Sequence, residues 1–109
     1  MESVVELEIC HPAPTMCGDN GHFHVTDGDR VWKFIVTEEA LMSTATPPEA
    51  SRTRLIKFIG QYRNLAQEAI ARKDVQDGTA WIFERDILER QGLDATRYRP
   101  TVSTMSATV

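Results

Sequence analysis

The sequence predicts an α+β domain: a small antiparallel sheet in the order β-β-β-α-α-β-α, with one long helix packed across it. Three observations lead there. Val5, Leu7 and Ile9 alternate with Glu6 and Glu8, the period of a half-buried strand. Asp27-Gly28 separates two runs of β-branched and aromatic residues, a hairpin signal. Between Leu55 and Ile70, apolar residues recur at helical spacing. The chain has 109 residues, 41% hydrophobic and 26% charged, which suits one domain with its own core.

The first strand is expected over Val4–Cys10, with an apolar and an acidic face. Residues 11–21, with two prolines and then Gly-Asp-Asn-Gly, read as a loop. In the hairpin that follows, Phe23 and Val25 share one face, and His22 and His24 share the other. Val31–Thr37 is apolar on both faces: Trp32, Phe34 and Val36 on one, Val31 and Ile35 beside Lys33 on the other. That pattern predicts a central strand covered on each side. Thr37 is placed to cap a short helix whose first turn holds Glu38 and Glu39.

The long helix is expected to start at Thr46 as N-cap. Pro47 and Pro48 would open it, Glu49 would stand at the capping-box position, and it would run to about Lys73. Asp77-Gly78 marks a turn. Thr79–Glu84 reads as a last strand, with Trp81 and Phe83 on one face and Ala80 and Ile82 on the other. Asp86–Gln91 forms a closing helix, with Gly92 as its terminating glycine. The domain is expected to fill residues 1–93. Residues 94–109, rich in Thr, Ser and Ala and without periodicity, read as a mobile tail.

The segments FHVTDGDRVWKFIVTEEAL, QYRNLAQEAIARK and TAWIFERDIL resemble the domain-of-unknown-function 1488 family of small bacterial proteins. The likeness covers about residues 23–88. It rests on Phe34, Val36, Ala40 and Leu41, and on Ile82, Asp86 and Leu88 near the end. It implies an α+β fold and a bacterial or phage source, and it carries over no catalytic residues.

The net charge is −4, which favours solubility and argues against an anionic partner. No apolar run reaches the roughly 18 residues of a membrane-spanning helix. The N-terminus lacks the basic and apolar regions of a signal peptide. A cytoplasmic chain with reduced Cys10 and Cys17 is therefore expected.

Four groups of residues could carry function. Cys10, His11, Cys17, His22 and His24 lie within fifteen positions, and His-x-His on a strand puts both imidazoles on one face. Their spacing matches no usual zinc pattern, and nothing in the sequence brings the Cys10 side to the histidines. No metal and no cofactor are expected. Cys17 with a histidine would make a nucleophile and base, but Glu8 and Asp19 are the wrong neighbours for a thiolate. With no phosphate loop or nucleophile elbow, no enzyme is expected. Arg54, Lys57 and Arg72 flank one edge of the long helix, and Arg52 and Arg63 the other. Phosphate contact is the functional reading, and pairing with Glu6 and Glu8 around the core is the favoured one. Finally, Trp32, Trp81, Phe23, Phe83 and Tyr62 are many rings for a small sheet, which points to an interface or a homodimer.

The expected function is thus a non-enzymatic protein-binding or regulatory module. One specific form is a small acidic bacterial or phage accessory protein that inhibits a nucleic-acid-handling complex, CRISPR machinery for instance. Its partner-binding residues would be Glu6, Glu8, Asp27, Asp29, Glu38, Glu39, Trp32 and Trp81. A nucleic-acid-binding regulator using Arg52, Arg54, Lys57, Arg63 and Arg72 is the alternative, although direct nucleic-acid binding is not favoured. A Cys/His metal-binding protein is a further one. No membrane partner is expected.

Overall fold

A computed structural model describes residues 6–92. The tail expected from residue 94, the boundary at Leu93, and Val4 and Val5 lie outside the described residues. In chain order the elements are β1 (Glu8–Cys17), β2 (Asn20–Thr26), β3 (Val31–Val36), α1 (Glu38–Ser43), α2 (Arg52–Lys57), α3 (Ile59–Ala71), β4 (Thr79–Ile82) and α4 (Glu84–Arg90). The class is α+β, and the succession of strands and helices is the one read from the sequence.

The four strands lie in the order β1-β2-β3-β4. The first three pair antiparallel as consecutive hairpins, and β4 joins β3 in parallel. The sheet is therefore mixed rather than wholly antiparallel. The cause is the connection: between β3 and β4 the chain crosses through α1, α2 and α3, and a helical crossover returns a strand in the same direction.

Residues 11–21 do not form a loop. β1 continues through them and turns tightly into β2 at Gly18, whose φ of +66° glycine adopts without steric cost. Cys10 pairs with His24 and Thr15 with His22, so five steps along β1 match two along β2. A bulge absorbs the excess. Pro12 and Pro14 fit because β1 is an edge strand, where a missing N–H leaves no ladder bond unmade.

At the second turn the Asp27 carboxylate accepts from the N–H groups of Asp29 (2.8 Å) and Arg30 (2.9 Å), fixing the Asp-Gly hairpin. Thr37 caps α1, its hydroxyl accepting from Ala40 N–H at 3.2 Å.

The expected long helix differs at its start and in its middle. Ser51, not Thr46, is the N-cap, its hydroxyl accepting from Arg54 N–H at 3.1 Å. The chain then leaves helical geometry at Phe58, with φ −109° and ψ 22°, which divides the helix into α2 and α3. Gly60, two positions on, is a weak helix former. α4 starts earlier than expected, at Glu84, because the Asp86 carboxylate caps Phe83 N–H at 2.8 Å. Gly92 follows its C-cap with φ +85°.

The core lies between one sheet face and the helices. Phe23 and Val25 from β2, Trp32, Phe34 and Val36 from β3, and Ala80 and Ile82 from β4 meet Leu41, Leu55, Tyr62, Leu65, Ala66, Ala69 and Ile87. Phe23 stacks on Phe34 with centroids 5.7 Å apart. Two polar side chains hold the segment after α1 against this core. Buried Tyr62 and Thr44 share a hydrogen bond of 2.7 Å, and Thr44 donates to Ala40 C=O at 2.8 Å. Thr44 has one hydroxyl proton, so Tyr62 is the donor to Thr44. Arg54, 6% exposed, donates to the carbonyls of Leu41 (2.9 Å), Ala45 (3.2 Å) and Pro47 (2.7 Å).

Candidate functional site

Because strand side chains alternate, the residues between the core positions project from the opposite sheet face. Strand pairing sets them in rows across the sheet. Cys10, His24, Lys33 and Thr79 form one row, and Thr15, His22, Ile35 and Trp81 the next. Glu8, Thr26 and Val31 lie beyond the first row. The core cluster contains none of these residues, and no helix among the described residues packs on this face. The expectation that β3 is covered on each side is thus half met. β3 is an internal strand, yet its second face is open, because every described helix lies on the first.

The open face is apolar toward β4. Trp81 is 47% exposed, Phe83 42% and Val31 57%. The Trp81 and Phe83 rings lie parallel, 7° apart in plane, with centroids at 6.1 Å. The Arg85 guanidinium sits 5.3 Å from the Phe83 centroid. Ile35 is 8% exposed although no helix covers it; its row neighbours His22 and Trp81 flank it. The free edge of β4 offers little to an added strand. Lys33 N–H bonds Gly78 C=O and Thr37 N–H bonds Ile82 C=O, so even-numbered positions face β3 and Trp81 faces outward. Thr79 is already bridged to Gln76. Side chains, not backbone pairing, are what this region presents.

The bulge in β1 brings together residues that the sequence kept apart. Cys10 stands directly opposite His24, whereas exposed Cys17 stands opposite Asn20. The cysteine paired with a histidine across the strands is therefore Cys10, not Cys17. Burial, then the Lys33 charge, holds the pKa of both histidines below the ordinary value; for His22, the His24 charge adds to this. The His24 Nδ1 is buried with no hydrogen-bond partner. Among the described residues, no three of His, Cys, Asp and Glu gather closely enough to hold a metal ion.

The basic residues do not line one surface. Arg54 is bound inside the fold, as above, with its guanidinium 5.6 Å from the Phe58 centroid. Lys57 lies over the same ring at 5.7 Å. Arg52 donates to Pro14 C=O at 3.2 Å. Arg63 donates to Leu7 C=O at 3.3 Å and lies 3.8 Å from Glu6. Arg72 pairs with Asp74 at 3.0 Å.

The acids are also divided. Asp27 and Asp29 lie at the start of β3, while Glu38 and Glu39 follow its end, about 17 Å away at roughly 3.3 Å per residue. Glu8 is exposed on the open face, and Glu6 reaches Arg63. Trp32 is in the core and cannot touch a partner; Trp81 can.

An open cleft of about 430 Å³ lies between α3, β4 and α4. Two of its carboxylates are occupied, Glu68 by Arg90 at 2.8 Å and Asp86 by Phe83 N–H. Among the described residues, no helix is long and apolar enough to cross a membrane. Comparison with protein-family models, curated proteins and solved structures finds no match to this chain.

Proposed function

We propose that this chain is a non-enzymatic protein-binding module whose recognition surface is the uncovered face of its sheet. The observation that carries the reading is the Trp81–Phe83 pair. Two large rings stand parallel and about half exposed, beside Ile35, on a face that no described helix covers. Large apolar rings left in water in one patch favour association, and Trp is a frequent interface anchor. The polar residues that border them, His22, Thr79 and Thr15, resemble the rim of such a surface.

The narrower expectation, an acidic inhibitor that fills a basic groove, would draw on carboxylates that lie at opposite ends of β3. A nucleic-acid regulator would draw on arginines that already bind backbone carbonyls or carboxylates. The sheet face supports the protein-binding reading better than either set. The resemblance over residues 23–88 adds an expected bacterial source and no site residue.

Affinity capture from the native host tests the reading, with the wild-type chain beside a Trp81→Ser, Phe83→Ser variant. Both rings are exposed, so the variant should keep its circular dichroism spectrum and melting temperature. A partner retained by the wild type and lost by the variant is the expected result. Equal capture by both chains would remove the open face from the function.

A further inference from the structure

We propose that the open face holds a short, extended, acidic segment of a protein partner. An apolar side chain of that segment rests on Trp81 and Phe83, between carboxylates held by Lys33 and Arg85. The proposal rests on the reading of this face as a protein-binding surface.

Area sets the size of the occupant. Four strands about 4.8 Å apart and roughly 20 Å long give a face of about 400 Å² in plan. Stable interfaces between globular partners bury about 800 Å² per partner, twice that. An extended segment of five residues spans about 17 Å and fits within the length of the strands. A linear segment therefore suits this face where a folded domain does not.

Charge sets its sign. The exposed rings border a second open cleft of about 660 Å³ along β4. Its charged lining is Arg72, Lys73 and Arg85 against Asp74, Asp77 and Asp86. Arg72 and Asp74 pair with each other at 3.0 Å, and Asp86 is held by Phe83 N–H at 2.8 Å. Lys73 and Arg85 are left against Asp77, and Lys33, opposite Thr79, adds a third cation. Neither Lys33 nor Arg85 forms an ion pair among the described residues. Glu8 stands on β1, three strands and about 14 Å from β4, beyond the screening distance at physiological salt. The net charge of −4 opposes an acidic partner at long range, but salt screens that field, and the groups at the rings are locally positive.

Spacing sets the pattern. Lys33 lies opposite Thr79, and the Arg85 guanidinium sits over Phe83, four positions further along the chain. That separation is about 13 Å, with Trp81 midway. In an extended peptide the side chains at i, i+2 and i+4 share one side and cover the same length. Acidic residues four positions apart would reach the two cations, and the residue between them would fall on Trp81. A single-stranded nucleic acid fits less well. It brings a charge with every nucleotide to a chain that is acidic overall and offers few free cations here.

Panning a random peptide library displayed on phage against the purified full chain tests this, with a Trp81→Ser, Phe83→Ser variant as counter-selection. The expected enrichment is of sequences with acids four positions apart around an apolar residue, lost with the variant. A synthetic peptide of the enriched sequence should bind Arg85→Glu at least about fivefold more weakly. Exchange of one of its two acids for lysine should recover most of that loss. Arg85 is exposed in the first turn of α4, so Arg85→Glu should keep the circular dichroism spectrum and melting temperature.

Enrichment of basic or uncharged sequences, or of none that depends on Trp81, overturns the acidic segment. Tighter binding of single-stranded oligothymidylate than of the peptide, lost in Trp81→Ser, gives the face to nucleic acid and overturns it too. If host capture still yields a protein through Trp81 and Phe83 while panning yields no acidic sequence, the binding module stands without this occupant. If neither yields a partner, both fall.

Discussion

At Gly21 the sheet approaches α2 so closely that a side chain would fit only if Leu55 gave way. A Cβ built there would lie 3.0 Å from Leu55 Cδ1. Gly21→Val should therefore cost about 1–3 kcal/mol by overpacking, measured by urea denaturation. Tyr62→Phe should cost about 1 kcal/mol, because it removes one donor to Thr44 and leaves the ring packed. Tyr62→Ala should cost about 3–5 kcal/mol, since the ring is fully buried. The histidines make stability depend on pH. Their folded pKa values lie below the ordinary 6.5, so between those limits the unfolded chain binds more protons. Stability is thus complete above about 6.5, falls as pH drops through that window, and levels out below the lowered values. Melting temperatures from pH 7.5 to 5.0 should show the decline, and His22→Gln with His24→Gln should flatten it.

Among the elements, the segment from Thr44 to Ala50 depends most on a single side chain. Its carbonyls at Ala45 and Pro47, with that of Leu41, are satisfied by Arg54. Arg54→Met keeps the length of the side chain and removes every donor. It should cost about 2–4 kcal/mol, with loss of protection in this segment under limited proteolysis. A loss below about 0.5 kcal/mol would mean that water replaces the guanidinium. In the sequence Arg54 looks like a helix-edge cation, because periodicity says which face a residue takes and nothing about which loop folds back over it. The capping of α1 was legible, since Thr37 with Glu38 and Glu39 is a local signal. The start of α2 was not. Thr46 and Ser51 are both good caps, and the carbonyls held by Arg54 keep the bent segment Ala45–Pro47 out of the helix.

The whole molecule has one covered and one open sheet face, and the open face carries the functional reading. Trp81→Ser with Phe83→Ser should change folding stability by less than about 1 kcal/mol, while association is lost. A large fall in melting temperature would place those rings in the monomer's own stability. The candidate site was legible in part. Trp81 was identified as an interface residue, but so was Trp32, which is buried. Both sit in strands of the same alternating pattern, and the pattern cannot say which face the helices take. The Cys10–His24 pairing was not legible, because it depends on a bulge that no local signal in His11-Pro12-Ala13-Pro14 places.

By itself, the sequence determined the α+β class, the order of the elements, the Asp27-Gly28 hairpin, and which residues of each strand share a face. These follow from periodicity, turn residues and caps, which act within a few residues of each other. Tertiary structure alone decided that β4 runs parallel to β3, that the long helix divides at Phe58, and that Arg54 serves the fold. It also decided that every described helix packs on one side of the sheet. These outcomes depend on contacts between residues far apart in the chain. A helix can satisfy its apolar stripe on either face of a sheet, and only the packing of Leu55, Tyr62, Leu65 and Ala69 against Phe23, Phe34 and Ile82 selects which face is buried.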